Sequence, residues 1–310
     1  MSGNYSSGEL SSALYRVQTD YTGNLATKDY VNSHRADGLK MIYPDAFTSR
    51  IKPNIYYNGR YYCDIDTDDY KVGGTVEAWV ATNGNDSTGD GSENNPYATI
   101  TKALTVATTI HIKEGTYTQG THYATSANIG GKNIIGHGAV TLQNDSSGHY
   151  AYSSGSTYIE NIEFKHGNAN TNSAFTAICS GSGQNVCFVN CVFRDSGSNG
   201  LSLEGIDAVL VGCAAYGNKL DGFNYHSKTI NSTTYIPNVL EIDCKAYNNG
   251  TDQSGNNSCN GSTAHDGAKV IRLNGEYYSC YGGVIAEIAL ADGEPTISVN
   301  YGVLAHDSTG

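Results

Sequence analysis

The chain has 310 residues, 37 of them Gly, 24 Tyr and only 5 Pro, and a net charge of −12. That balance excludes a phosphate-backbone partner, which needs a basic face. No run of about 18 apolar residues is present, so no membrane span is expected. The first residues, Met1-Ser2-Gly3-Asn4-Tyr5, carry neither a charged nor an apolar leader segment.

In chain order, Ala26 to Ser33 reads as the start of a helix with Thr27 as N-cap. Ile55-Tyr56-Tyr57 and Arg60-Tyr61-Tyr62 flank Asn58-Gly59, a β-hairpin pattern. Residues 1–73 are too polar for a large core and read as a small attachment or oligomerisation module. Glu77 to Val80 reads as a strand, followed by a Gly/Asp-rich turn over 83–91. A helix is then expected with Asn95 as N-cap and Pro96 at its first position, carrying Tyr97, Ile100, Ala103, Leu104 and Ala107 on one side. Ile110 to Tyr117 alternates as a strand does.

From Asn133 onward short alternating strands recur between Gly, Asn, Asp and Ser. Cys191, Cys213, Cys244 and Cys280 each precede a strand, with Ile162 in the same slot upstream. Gly200, Gly222 and Gly267 read as the corner glycines of successive turns. The spacing reduces to a unit of about 22 residues, enlarged near 227–238 and 251–264, the period of a solenoid. The expected architecture is all-β: a single-stranded parallel β-helix over 74–310, with entry strand and capping helix in 74–108 and coils in 109–310. Equivalent strands then lie about 4.8 Å apart, and the cysteines form one interior column of free thiols. Free thiols suit assembly in a reducing cytoplasm. No cysteine pair has metal-ligand spacing, so no metal and no cofactor are expected.

Alternation after the corner glycines points Leu201, Leu203, Phe223, Tyr225, Ala268 and Val270 inward. Ser202, Asn224 and Lys269 then form one outward column and Glu204 with His226 a second. Asp221 and Asp266, headed by Asn199, form a third. The result is a polar ledge suited to an extended polymer, with Tyr216 and Tyr247 as further ligand-binding candidates. Three chemistries compete for it. Asp221 and Asp266 suit a carboxylate pair for glycoside hydrolysis. His226 or Lys269 suits the base of a lyase, with Arg194, Arg272 or Lys219 neutralising a uronate, or Ca²⁺ doing so. Binding without cleavage needs only the hydroxyl, amide and aromatic groups.

Two stretches resemble known families. Trp79 to Tyr117, with its strand, Gly/Asp-rich loop, short helix and terminal Gly115-Thr116-Tyr117, resembles the entry of pectate-lyase-like right-handed β-helix proteins. Ala26-Thr27-Lys28-Asp29-Tyr30-Val31 resembles segments of bacteriophage tail spikes and tail fibres. Asp221-Gly222 and Asp266-Gly267 are similar to the Asp-Gly motifs of β-helical polygalacturonases, although Gly136-His137-Gly138 lies upstream of them here. Together the resemblances imply a homotrimeric tail spike or fibre, located in the virion tail, that binds host surface polysaccharide. Its N-terminal module would join other virion tail proteins. The alternatives are a polysaccharide hydrolase or lyase, in the virion or extracellular, and a structural virion protein without a glycan site.

Overall fold

The computed structural model describes residues 54–57, 60–63, 67–124, 128–144, 156–166, 172–181, 184–251, 259–288 and 296–308. The expected helix at Thr27 lies outside them. The Tyr-rich hairpin is present as two antiparallel strands, Asn54–Tyr57 and Arg60–Cys63.

The remaining strands form a parallel β-helix of three faces. Face A holds Asn185–Val189, Asp207–Val211, Asn238–Ile242, Lys269–Leu273 and Ile297–Tyr301. Face B holds Glu163–His166, Val192–Arg194, Ala214–Tyr216, Lys245–Tyr247, Glu276–Tyr278 and Leu304–His306. Face C holds Phe175–Ile178, Leu201–Glu204, Phe223–His226, Ser262–His265 and Ile285–Ile288. Each strand pairs in register with its equivalent one coil away, for example Leu201 with Phe223 and Val192 with Ala214. The chain runs A, B, C and back to A. At the entry, Glu77–Val80 pairs with the ten-residue strand Thr109–Thr118, and that strand with Asn133–Asn144.

Two corners of each coil are made by a residue in the left-handed region. Asn161, Asn190, Gly212, Asp243, Asn274 and Gly302 turn A into B. Asp195, Gly217, Asn248, Ser279 and Asp307 turn B into C. Gly, Asn and Asp adopt this conformation at little cost, which is why they punctuate the sequence.

The interior is a stack of like on like. Phe164 and Phe193 stack at 5.3 Å, with Phe175 and Phe188 edge-on around them. Ile162, Cys191, Cys213 and Cys244 form the expected column, fully buried. Each thiol leans on a carbonyl, as Cys213 does on Phe188 at 3.5 Å. Cys179, Cys191, Cys213 and Cys244 are buried free thiols.

Cys280 does not continue that column. Glu276 pairs with Lys245, so the next slot is Gly275. A Cβ there would stand 2.5 Å from the Tyr277 ring, which turns back into the space a thiol would take. Cys280 instead follows Ser279 at the second corner, in line with Ser196, Asn218 and Asn249. Both corners put a left-handed residue before the next side chain, so Ser279-Cys280 imitates Asp243-Cys244 in sequence. At this second corner the buried amides form a chain. Asn249 Oδ1 accepts from Asn218 Nδ2 at 2.9 Å, Asn218 Oδ1 from the Ser196 amide at 3.2 Å, and Asn249 Nδ2 donates to the Ala215 carbonyl at 3.0 Å.

The helix spans Ile100–Val106 and starts later than the sequence suggests. Thr99 is the N-cap, accepting from the Lys102 amide at 3.0 Å, and Asp86 accepts from the Ala98 and Thr99 amides. Pro96 and Tyr97 lie in an extended segment bonded to Trp79 and Ala81. Ile100 and Ala103 are buried against the first coils, so the helix covers one end of the tube, where open strand edges invite aggregation.

Inside face A the core turns polar. Glu241 and Arg272 occupy the interior position held by Leu210 one coil earlier, and both are fully buried. Arg272 Nε lies 3.3 Å from Glu241 Oε1. Tyr225, Tyr277 and Ser262 hydroxyls donate to the Glu241 carboxylate, and the Arg272 guanidinium donates to Ser262 and Ser298. Arg272 therefore faces the inside of the tube and is no candidate for a substrate-neutralising cation in a surface groove.

Candidate functional site

The polar ledge exists on face C, with part of its membership changed. Ser202 aligns with Thr176 and Asn224, and Glu204 with His226, as expected. The next member of the first column is Thr263, because Phe223 pairs with Ser262. The corner glycine of that coil is therefore Gly261, preceded by Asn260, just as Asn199 precedes Gly200 and Asp221 precedes Gly222. The expectation built on Gly267 is corrected. Lys269 lies on face A beside Asn238 and Ile297, away from the ledge, and Ala268 and Val270 are buried under that other face.

The proposed carboxylate pair is separated by the same correction. Asp221 stands before the face C strand, in the column of Asn199 and Asn260. Asp266 stands after it, beyond His265. Asp221 has no exposed surface. It accepts from the Asn260 amide at 2.8 Å, from Asn260 Nδ2 at 3.1 Å and from Asn224 Nδ2 at 2.5 Å. A carboxylate so enclosed ties two coils together and presents no oxygen to a ligand. Asn224 is 2% exposed and Thr263 is covered completely, so this part of the ledge is closed.

What stays open is a recess of about 490 Å³ further toward the N-terminal coils, lined by Asn172, Thr176, Asn199, Ser202, Glu204, His226 and Lys228 among others. One wall comes from the first insertion, which forms an antiparallel hairpin of Lys228–Ile230 and Thr233–Tyr235. Lys228 Nζ meets Glu204 Oε2 at 2.6 Å, so the hairpin is pinned to the ledge. The second insertion is described only at its two ends.

At the rim, His226 Nδ1 lies 3.2 Å from Asp266 Oδ2. Its ring stacks on His265 at 4.1 Å between centroids and 11° between planes. His265 Nε2 approaches Asp221 at 3.8 Å and Asn224 Nδ2 at 3.2 Å. Two His–Asp pairs thus lie one above the other. Burial, then the neighbouring His265, lowers the pKa of His226, while Asp266 and Glu204 pull it the other way. A histidine whose pKa is lowered by folding binds its proton more readily in the unfolded chain. Stability is then complete at neutral pH and falls as pH drops below about 6.5, the unfolded value. The melting temperature is expected to fall between pH 7.5 and 5.5, and to fall less in His226→Gln. An equal fall in both proteins would remove His226 from the explanation. The missed partner, His265, had a signal in the sequence: it lies one residue before Asp266, at the strand position equivalent to His226 once Asn260-Gly261 is taken as the corner.

Tyr216 and Tyr247 are on face B, away from the recess. They stack at 4.9 Å and 11°, and Tyr247, Tyr278 and His306 continue the stack at 5.0 and 5.2 Å. Ring faces turned toward one another are closed to a sugar, and only their edges reach solvent. Arg194 lies on the same face, held by Glu163 at 2.7 Å and by Asp195.

Among the described residues no cluster of three or more ligating side chains fits a metal ion, and no helix is long and apolar enough to cross a membrane.

The register defines the protein as a parallel β-helix of three faces, with a polar recess on one of them. Residues 82–206 match a family described as a protein of unknown function (DUF1565). No curated protein matches the chain. Among solved structures, the chain is similar to the pectate lyase Pel9A at 17% identity and a TM-score of 0.48, covering 78% of this chain and 80% of that one. It is similar to a rhamnogalacturonan lyase at 17% identity and a TM-score of 0.36, covering 72% and 65%. It is also similar to ORF18 of Geobacillus virus E2 at 12% identity and a TM-score of 0.35, covering 75% and 56%.

Proposed function

We propose that the face C recess binds a surface polysaccharide of a host cell, and that the protein is a receptor-binding spike or fibre of a bacteriophage tail. The observation that carries the binding reading is the lining of the recess. Asn172, Ser173, Thr176, Ser198, Asn199 and Ser202 offer uncharged donors and acceptors. The titratable groups beside them already have partners: Glu204 is ion-paired with Lys228, and His226 is hydrogen-bonded to Asp266. Such a surface suits a neutral, hydroxyl-rich chain, and hydrogen bonding alone holds it. The virion-tail location, the homotrimer and the attachment role of residues 1–73 belong to the same proposal. They rest on the likeness of Ala26 to Ser33 to tail-fibre segments.

A second reading has its own support. His226, oriented by Asp266 and of lowered pKa, has the attributes of a general base at the edge of the recess. This favours a polysaccharide hydrolase or, with Ca²⁺ on a uronate, a lyase. One experiment separates the readings. Host capsular and lipopolysaccharide glycans are titrated against the protein by calorimetry, while reducing ends and absorbance near 235 nm are followed. Saturable binding, weakened at least tenfold in Ser202→Trp and without new products, is expected. Product formation lost in His226→Gln would establish the enzyme instead. Binding of equal strength in Ser202→Trp would remove the recess from either role.

A further inference from the structure

The outer side of face A is apolar, unlike that of face C. Tyr158, Cys187, Val209, Leu240 and Ile271 align in one outward column, and Val189, Val211, Ile242 and Leu273 in a second. On face C the outward columns carry Ser202, Asn224, Glu204 and His226 instead. Yet this apolar stripe is closed. Leu240 and Leu273 have no exposed surface, and Cys187, Val209 and Ile271 have 2% or less. That burial is reached within a single chain, so the cover comes from the chain itself. Beyond Leu273 it thins, and Val299 and Tyr301 are only partly buried.

One edge of the cover is in place. Tyr70 packs into the stripe, and the short helical turn Thr67–Tyr70 rests on the strand Asn185–Val189. Lys71 Nζ lies 5.3 Å from the centre of the Tyr158 ring, one coil lower. The Val72 amide donates to Asn133 Oδ1 at 2.7 Å, and Asn133 Nδ2 donates to the Val72 carbonyl at 2.9 Å, one coil lower again. The chain thus descends the outside of the tube, about 4.8 Å per coil, before it enters at Glu77. Followed backward from Thr67, it heads for Val209, Leu240 and Ile271. These continue the stripe over about 14 Å.

We propose that the Tyr-rich hairpin Asn54–Cys63 is a strap docked on this stripe. Three residues separate it from Thr67. Each of its strands has four residues, about 13 Å at a rise of 3.4 Å per residue, which is the length left to cover. Two paired strands also match the two outward columns, set about 7 Å apart by a two-residue step. The hairpin register puts Ile55, Tyr57 and Tyr62 on one side and Tyr56 and Tyr61 on the other, so either side supplies aromatic surface to bury. Left bare, the stripe would be a contiguous apolar patch of the kind that draws proteins together. The strap lies on a different face from the recess and leaves it open.

Leu240→Cys places a thiol under the strap in the full chain. Its alkylation by iodoacetamide, read by peptide mass spectrometry, is compared with that of the interior Cys213. Both are expected to react slowly while the hairpin is intact. The pairs Ile55→Asp with Tyr62→Asp, and Tyr56→Asp with Tyr61→Asp, each charge one side of the hairpin. One of the two pairs is expected to speed alkylation at position 240 at least tenfold and to leave Cys213 slow, which separates a lifted strap from an unfolded tube. Ile271→Cys serves as the same probe should Leu240→Cys misfold. Rapid alkylation of the probe with the hairpin intact, slow alkylation with both pairs of substitutions, or equal acceleration at Cys213 would overturn the strap. So would alkylation that speeds up on dilution, which would make the stripe an interface between copies of the chain.

Discussion

Arg272→Met is expected to lower the free energy of unfolding by about 3–5 kcal/mol, the usual cost of leaving one member of a buried ion pair without its partner. The guanidinium and the Glu241 carboxylate are both enclosed by the three faces, with no surface exposed to solvent. Removal of the cation leaves Glu241 with only the hydroxyls of Tyr225, Tyr277 and Ser262 as donors. Ser262 and Ser298 lose the donor they share. Pairing Arg272→Met with Glu241→Leu should recover much of the loss, because two apolar groups restore what Leu210 does one coil earlier. The recovery stays incomplete, since three hydroxyls then have no acceptor. Urea denaturation of the two single variants and the double variant measures this directly. An Arg272→Met protein as stable as the parent would mean that the pair is solvated, against its burial.

Asp221→Ala is the second large effect, and its size distinguishes a structural role from a chemical one. The variant is expected to lose about 3 kcal/mol or more, since the Asn260 amide, Asn260 Nδ2 and Asn224 Nδ2 all lose one acceptor in a dry site, at about 1–3 kcal/mol per unsatisfied group. Asp266→Asn, at the partly open rim, keeps both the left-handed backbone and an acceptor for His226, and should cost below about 1 kcal/mol. Urea midpoints for the two variants decide this. Equal and small losses would make Asp221 dispensable to the fold and would reopen it as a chemical group.

These two cases mark how far a residue pattern carries. The columns Leu201–Phe223, Ser202–Asn224 and Glu204–His226 are legible because 22 residues separate them without interruption. Beyond His226 two insertions intervene, and Asn260-Gly261 and Asp266-Gly267 compete for one corner. Asn260-Gly261 takes the place that Asp266-Gly267 resembles, and Gly275 takes the place that Cys280 resembles. Each slip moved real candidates: Lys269 went to another face, Asp266 to the other end of the strand and Arg272 to the interior. Tyr216 and Tyr247 were rightly grouped at one repeat position. That the rings close over one another follows from a coil spacing near 5 Å, which matches aromatic stacking.

The chain's own order of residues determines that it coils. A 22-residue period, left-handed Asn, Asp and Gly at the bends and apolar alternation between them admit few other solutions. Which polar side chains meet, and which remain open, was decided only in three dimensions. Insertions change the count between coils without changing the coil, so register is set by which strands hydrogen-bond. Burial of Asp221 and opening of the recess beside Ser202 depend on neighbours some 22 to 40 positions away in the chain.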